Sequence, residues 1–392
     1  MKKINILVLS STLFFISCFN DYTPIIEKIP EKINILSKIQ PKMEYPYDIE
    51  VTKDGKTIYF KNWYNYPKEN DKYLDEKIPE QYEKIIKRKV IFKLDVETKK
   101  IEILKINNDS LIYNELGEEM ELDTDGNLYI NVLNSYINNF RYRENNIKNY
   151  IYKISPKGNI LNKYDVFEND YNKYPVENTT NSLFYSFDGP INLVFENDRI
   201  FYCMLLYSKE ILSDSFYLIK KLELSKNKIS DFFKSKNGIK YHPFYVNNNL
   251  IFNSLGWTQA NIYNVNTNKV ISNNDTKWEN IDLKNIDKSN NNKLSNEYNF
   301  VNNSIKINSK NEIFSTGIDV IQKHNIENKT INIIGSYPYG LKDGKSTEAS
   351  FDYPSSLSID GNDNIYVADT GNNAIRKITP NGVVSTFYKE NS

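Results

Sequence analysis

The sequence predicts an all-β chain, a six-bladed β-propeller of four-stranded antiparallel blades. Three observations point to it: short alternating apolar strands run on from about residue 31, tight Asn, Asp and Gly turns separate them, and the strand-turn unit recurs. The last copy is the clearest, with runs at 356–360, 364–368, 374–378 and 383–387 and turns at 361–363 and 380–382. β-branched and aromatic residues fill each run, as a pleated, half-buried surface favours. The same grammar opens the series at 48–51, 57–60, 90–94 and 100–104, and repeats at 120–122, 127–130, 150–154 and 159–161. Three further copies centre on 199–202, 250–252 and 312–314. Tyr59, Tyr129, Phe201, Ile251, Phe314 and Tyr366 take equivalent second-strand places, separated by 70, 72, 50, 63 and 52 residues, and the period drifts because the gaps differ. Paired β-sandwiches would show short strands without repeating a four-strand unit in phase. Helical patterning is confined to 80–89, inside the first gap.

Composition narrows the function classes. The 392 residues carry 50 Lys and Arg against 50 Asp and Glu, and the basic residues are scattered, so the electrostatic footprint of a nucleic-acid binder is missing. Two cysteines build neither a disulfide framework nor a thiolate zinc site, so the core must come from ordinary burial.

The N-terminus reads as an address. Lys2 and Lys3 precede an apolar stretch over 4–16, too short to span a bilayer as a helix and suited to a secretory signal. Phe15-Ile16-Ser17-Cys18 resembles the bacterial lipobox, which implies acylation (palmitate among the chains) at Cys18 and anchoring to a cell-envelope membrane after export. The expected organisation is a lipoprotein signal peptide over 1–17, a tether over 18–30 holding Pro24 and Pro30, and the propeller over 31–392. Cys203, in the apolar run 200–206, is then the remaining thiol and is expected to act as a small hydrophobe.

Residues 349–387 resemble an NHL repeat, through Phe351-x-x-Pro354, Val367-Ala-Asp-Thr-x-Asn372-Asn373 and Ile375-Arg-Lys-Ile378. The other copies keep the strand pattern and lack Asp369, Asn372, Asn373 and Arg376. The resemblance implies a propeller and no single activity, since the family includes enzymes, peptide and RNA binders, and scaffolds. Asp369 and Arg376 are expected to tie strands together within the last blade, because Asp followed by Asn-Asn caps backbone donors readily.

Loop lengths choose the working face. Turns between strands one and two and between three and four are tight, whereas the insertions at 63–88, 133–148, 167–189, 274–299 and 336–353 open on the other face. That face carries Trp63, Tyr64, Tyr66, Tyr136, Phe140, Tyr142, Trp257, Tyr337 and Tyr339, rings suited to a glycan, peptide or protein partner. The expected partners are thus the membrane, through the lipid, and a protein, peptide or glycan, with nucleic acid excluded. Chemistry is sparse: no nucleophile elbow, phosphate loop or zinc-protease motif is present, and His242 and His324 fall in different blades. No catalytic residue, cofactor or metal is expected. The alternative is a calcium-dependent propeller enzyme, lactonase-like or lyase-like, whose channel oxygens would leave no fixed spacing; 123–127 and 360–364 look faintly like calcium loops but read as turns. Finally, 32–37 resembles 330–335, and each precedes a Tyr-Pro, so residues 32–38 are expected to close the ring at the outer edge of the last blade, beside or in place of 383–387.

Overall fold

A computed structural model describes residues 42–67, 85–106, 116–134, 148–166, 184–185, 191–208, 216–234, 244–247, 250–254, 260–264, 269–272, 279–280, 304–325 and 330–390. The first sheet is the meander β1 (Pro46–Val51), β2 (Thr57–Pro67), β3 (Ile85–Asp95) and β4 (Ile101–Ile103). The second runs β5 (Leu116–Leu122), β6 (Leu128–Asn134), β7 (Lys148–Ile154) and β8 (Ile160–Asp165). After the short β9 (Phe184–Tyr185) come β10 (Ile191–Glu196), β11 (Arg199–Ser208), β12 (Phe216–Glu223) and β13 (Lys228–Lys234), then β14 (Phe244–Asn247), β15 (Leu250–Ser254), β16 (Ala260–Asn264) and β17 (Lys269–Ser272). β18 (Glu279–Asn280) lies parallel to the outer strand of β19 (Ile305–Ile307), β20 (Ile313–Thr316), β21 (Ile321–Asn325) and β22 (Thr330–Ile334). β23 (Gly344–Lys345) likewise edges the last sheet, β24 (Pro354–Ile359), β25 (Ile365–Asp369), β26 (Ala374–Ile378) and β27 (Val383–Lys389).

The first strands are innermost. β1 lies beside β24 and β5, β10 beside β5 and β14, and β19 beside β14 and β24. The protein is an all-β propeller of four-stranded antiparallel blades. Five blades are described down to their side chains, whereas the sheet of 244–272, which the sequence counts as a further equal blade, is described through backbone pairing alone.

The blades described to their side chains bury their faces against one another. Ile49, Val51, Ile58 and Phe60 meet Met120 and Ile130 on one side and Ile375 and Tyr366 on the other. Tyr129 and Ile151 pack with Leu193, Ile200 and Leu222, and Phe314 and Ile334 pack with Phe351, Leu357 and Ile365. The repeat has a chemical unit. A buried second-strand aromatic stands opposite a third-strand lysine in five blades: Tyr59 and Lys93, Tyr129 and Lys153, Phe201 and Lys221, Phe314 and Lys323, Tyr366 and Lys377. For Tyr129 and Tyr366 the ammonium lies 5.4 and 5.5 Å from the ring centroid, and burial pushes Tyr59, Tyr129 and Tyr366 up to about 12. The lysine heads of Lys93, Lys153, Lys221 and Lys323 meet acids, Glu102 at 3.6 Å, Asp123 at 3.0 Å, Glu223 at 3.0 Å and Glu312 at 2.6 Å.

One expectation is corrected and one of two alternatives for ring closure is removed. Residues 85–89 are strand, not helix: β2 and β3 pair without interruption from Thr57 and Asp95 out to Pro67 and Ile85, so Trp63, Tyr64 and Tyr66 fall in β2 rather than in a loop. Over so short a stretch the helical and alternating periods are hard to tell apart, and the ladder wins because it satisfies the backbone of both strands. Residues 383–389 keep the fourth-strand place in the last blade, pairing with β26 and, at Val383 and Val384, with β23; they are not displaced by the N-terminal segment. Residues 32–38 lie outside the described residues.

Cys203 sits in β11 at 0% exposure, and burial pushes its thiol well above the ordinary range. The native protein is therefore expected to resist a maleimide that labels the denatured chain at once. Rapid labelling of folded protein at this thiol would contradict the packing of β11.

Candidate functional site

One layer of the central channel collects charge. The inner-strand residue opposite each second-strand aromatic or aliphatic is Glu50, Glu121, Val194, Val246, Lys306 and Ser358 in turn, so these occupy equivalent register positions. Lys306 Nζ lies 2.6 Å from Glu50 Oε1 and 2.6 Å from Glu121 Oε2, tying the blade of β19 to those of β1 and β5. Ser358 Oγ donates to Glu50 Oε2 at 2.9 Å. Just above, Asp48 meets the buried Lys61 at 2.7 Å, at the point where a bulge interrupts the pairing of β1 with β2.

Three acids therefore face two lysines. Burial raises Glu50 well above the usual carboxylate range, the Glu121 charge adds to the shift, and Lys306 offsets part of it. Burial raises Glu121 as well. Burial also opposes the Lys306 ammonium, but the two carboxylates outweigh it and hold the lysine charged far above its ordinary value. With one acid in excess, Glu50 is the group pushed furthest toward its protonated form.

Hydroxyls seal the seams between inner strands. Ser356 Oγ accepts from Ile49 N–H at 3.2 Å and Ser358 Oγ from Val51 N–H at 3.0 Å, while Ser304 Oγ accepts from Leu357 N–H at 3.3 Å. Edge-strand donors that would otherwise go unpaired are satisfied by the neighbouring blade.

The donor set does not fit calcium. The Lys306 ammonium stands where a cation would bridge Glu50 and Glu121. Asp123 accepts from the N–H groups of Asp125 at 3.0 Å and Asn127 at 2.8 Å, from the Asn127 amide, and from Lys153 at 3.0 Å. Asp360 repeats this with the N–H groups of Asn362 and Asn364, both at 2.9 Å. These carboxylates are turn caps whose lone pairs are already used. Among the described residues, no three His, Cys, Asp or Glu side chains are arranged to hold a metal. His324 lies within a blade with Nε2 2.7 Å from Ser315 Oγ, and burial pushes it down to about 3, so it stays neutral. His242 lies outside the described residues.

Arg376, 0% exposed, reaches past its own strands. Nη1 donates to Ser350 O at 2.8 Å and Asp369 Oδ2 at 2.9 Å, and Nη2 donates to Lys342 O and Asp343 Oδ1, each at 2.8 Å. Asp369 Oδ1 accepts from Asp352 N–H at 2.8 Å, and burial raises this carboxyl to about 6. Asn372 donates to Gly340 O at 2.9 Å, and Asn373 Oδ1 accepts from Tyr45 N–H at 2.7 Å. The network thus pins the connection over 340–352 and the seam with the first blade, where the sequence pointed only to ties within the blade.

That pinned connection carries exposed rings. Tyr337 and Tyr339 are 47% and 59% exposed, joined on the same face by Tyr45 at 52% and by Leu341 and Tyr353, each at 38%. Tyr136, Phe140, Tyr142, Trp257 and Cys18 lie outside the described residues. Sequence reading missed Glu50, Glu121, Lys306 and Ser358, although each was visible as one polar residue between apolar neighbours: Ile-Glu-Val, Met-Glu-Leu, Ile-Lys-Ile, Leu-Ser-Ile. It also missed Tyr45 and Tyr353, each of which precedes a strand-opening proline.

Against known families, the NHL repeat matches residues 351–378, from Phe351 through the end of β26. No curated protein matches the chain. The matched stretch contains Asp369, Asn372, Asn373 and Arg376, the residues that fix the last blade to its neighbours. The chain is a β-propeller that carries an NHL repeat in its last blade.

Proposed function

We propose that the chain is an exported, lipid-anchored propeller of six blades that acts as a binding scaffold through its long-loop face and performs no catalysis. The observation that carries this reading is the division of labour between channel and face. The channel charges are spent on one another through Glu50, Lys306 and Glu121, while the face displays Tyr337 and Tyr339 on a connection held rigid by Arg376. Rigid presentation of amphipathic rings lowers the entropy cost of binding. The blade count is supported by the succession of inner strands β24, β1, β5, β10, β14 and β19, each beside the next. Anchoring is supported by the signal-like stretch over 4–16 followed by Ser17-Cys18. The bound component is a protein, peptide or glycan of the envelope, or the membrane itself. A calcium-dependent enzyme has Lys306 against it, because an internal ammonium already compensates the channel carboxylates.

Two measurements test the reading. Cys18→Ala is expected to move the full chain from the membrane to the soluble fraction with loss of acyl labelling; label that persists refutes the anchor. A photocrosslinker at Tyr337 is expected to trap a bound envelope component, whereas one at Lys310, on the tight-turn face, should trap none. Equal trapping at both positions sinks the assignment of the face.

A further inference from the structure

We infer that the sector of the long-loop face over the seam between the last and first blades rests on a lipid bilayer. This names the occupant of part of that face and rests on the anchored reading above. The first observation is the level of the rings. Tyr45 and Tyr353 hold equivalent places, each before the proline that opens an inner strand, Pro46 of β1 and Pro354 of β24. Both have left-handed backbones, at φ 51° and 49°. Each N–H donates to a loop side chain of the preceding blade, Asn373 Oδ1 at 2.7 Å and Asp319 Oδ1 at 3.3 Å. Equivalent places on blades related by rotation stand at one height over the disc. Tyr337, Tyr339 and Leu341 emerge next to them on the connection held at Gly340 and Lys342.

The second observation is the chemistry of the array. Tyrosine is amphipathic and is the side chain enriched at the headgroup level of membranes. Polar groups separate these rings, Asn373 beside Tyr45 and Asp352 beside Tyr353, so they form a level set of contacts rather than one pooled patch. A level set of rings matches a plane better than the knob of a protein partner, and the exposed Lys342 beside them suits anionic headgroups.

The third observation is where the chain departs. Lys42 O accepts from the Asn62 amide at 3.3 Å and Glu44 N–H donates to Asn62 Oδ1 at 2.8 Å, which fixes residues 42–44 beside Tyr45. The first described residues of the chain are therefore held at this sector. An inserted lipid on the same chain keeps the domain close to the bilayer, and the rings then add their own contacts at a raised effective concentration.

The test uses two full-length lipidated chains, Tyr339→Cys and Lys157→Cys, the latter exposed on the opposite face. Cys203 is buried and lipidation consumes the Cys18 thiol, so the introduced cysteine is the reactive one. Both are reconstituted in vesicles of phosphatidylethanolamine and phosphatidylglycerol, floated, and exposed to a membrane-impermeant maleimide; their Cys18→Ala forms are labelled free in buffer. The expected result is that both chains float, position 339 labels many-fold more slowly than 157 on vesicles, and the two label alike in buffer. Chains that float but label equally overturn the docking and leave the anchor standing. Chains that fail to float overturn the anchor, and the docking with it. Slow labelling at 339 in buffer means that polypeptide covers the sector, and the lipid assignment falls.

Discussion

Lys306→Met is expected to cost roughly 3–5 kcal/mol of stability, because it leaves Glu50 and Glu121 facing each other across a buried layer with no cation between them. Thermal or urea unfolding reads this directly. Replacing all three together, Lys306→Met with Glu50→Gln and Glu121→Gln, should recover most of the loss, since the penalty comes from stranded charge rather than from lost attraction. A single variant that melts with the wild type would show that the triad does not hold the ring. The pH dependence has a definite sign. Glu50 binds its proton more tightly folded than unfolded, so its contribution is complete below the ordinary carboxylate range and is lost as pH rises through the raised folded value. On acidification from neutrality toward the ordinary carboxylate range the wild type should therefore gain stability from this group, and the Lys306→Met deficit should shrink as its stranded carboxylates take up protons. A deficit that grows on acidification would contradict the arrangement.

Arg376→Met is expected to cost a similar amount, about 3–5 kcal/mol, with the damage concentrated in one place. It strands Asp369, itself 0% exposed, and releases the carbonyls of Ser350 and Lys342 from their donors. Hydrogen exchange over 340–352 should then accelerate well beyond that of β5–β8, where no contact is lost. Arg376→Lys should rescue little, because a point charge cannot serve four acceptors in two directions as a planar guanidinium does. Unchanged protection over 340–352 would detach the arginine from the loop it is said to hold.

The repeat was legible because burial between blades imposes the same alternation on every copy. It showed in the aromatic second strands and in the lysines of Phe-Lys-Leu, Tyr-Lys-Ile and Arg-Lys-Ile. The channel layer was legible only in part. Glu50 and Lys306 each stand out inside an apolar triplet, but their meeting is a property of the closed ring, which no local window contains. The same limit applies to Arg376, whose partners at 342–350 lie upstream in a stretch that reads as an ordinary loop. The long hairpin of β2 and β3 was misread for the opposite reason, since local periodicity suggested a helix where cross-strand pairing decides.

The seam between Ser356, Ser358 and the first inner strand has a consequence for how the chain is made. The amides of Ile49 and Val51 find these hydroxyls 307 residues further along, and all four strands of the last blade come from 354–389. Among the described residues, no strand from the start of the chain is woven into that blade. During vectorial synthesis the first blade therefore leaves the ribosome with its inner edge unsealed and stays so until nearly the last residue has emerged. Contacts of such separation form slowly. Closure becomes a post-translational event, and up to that moment the ring remains an open arc. A chain truncated before residue 354 would lack the means to finish the ring and would meet the quality-control proteases as an open arc.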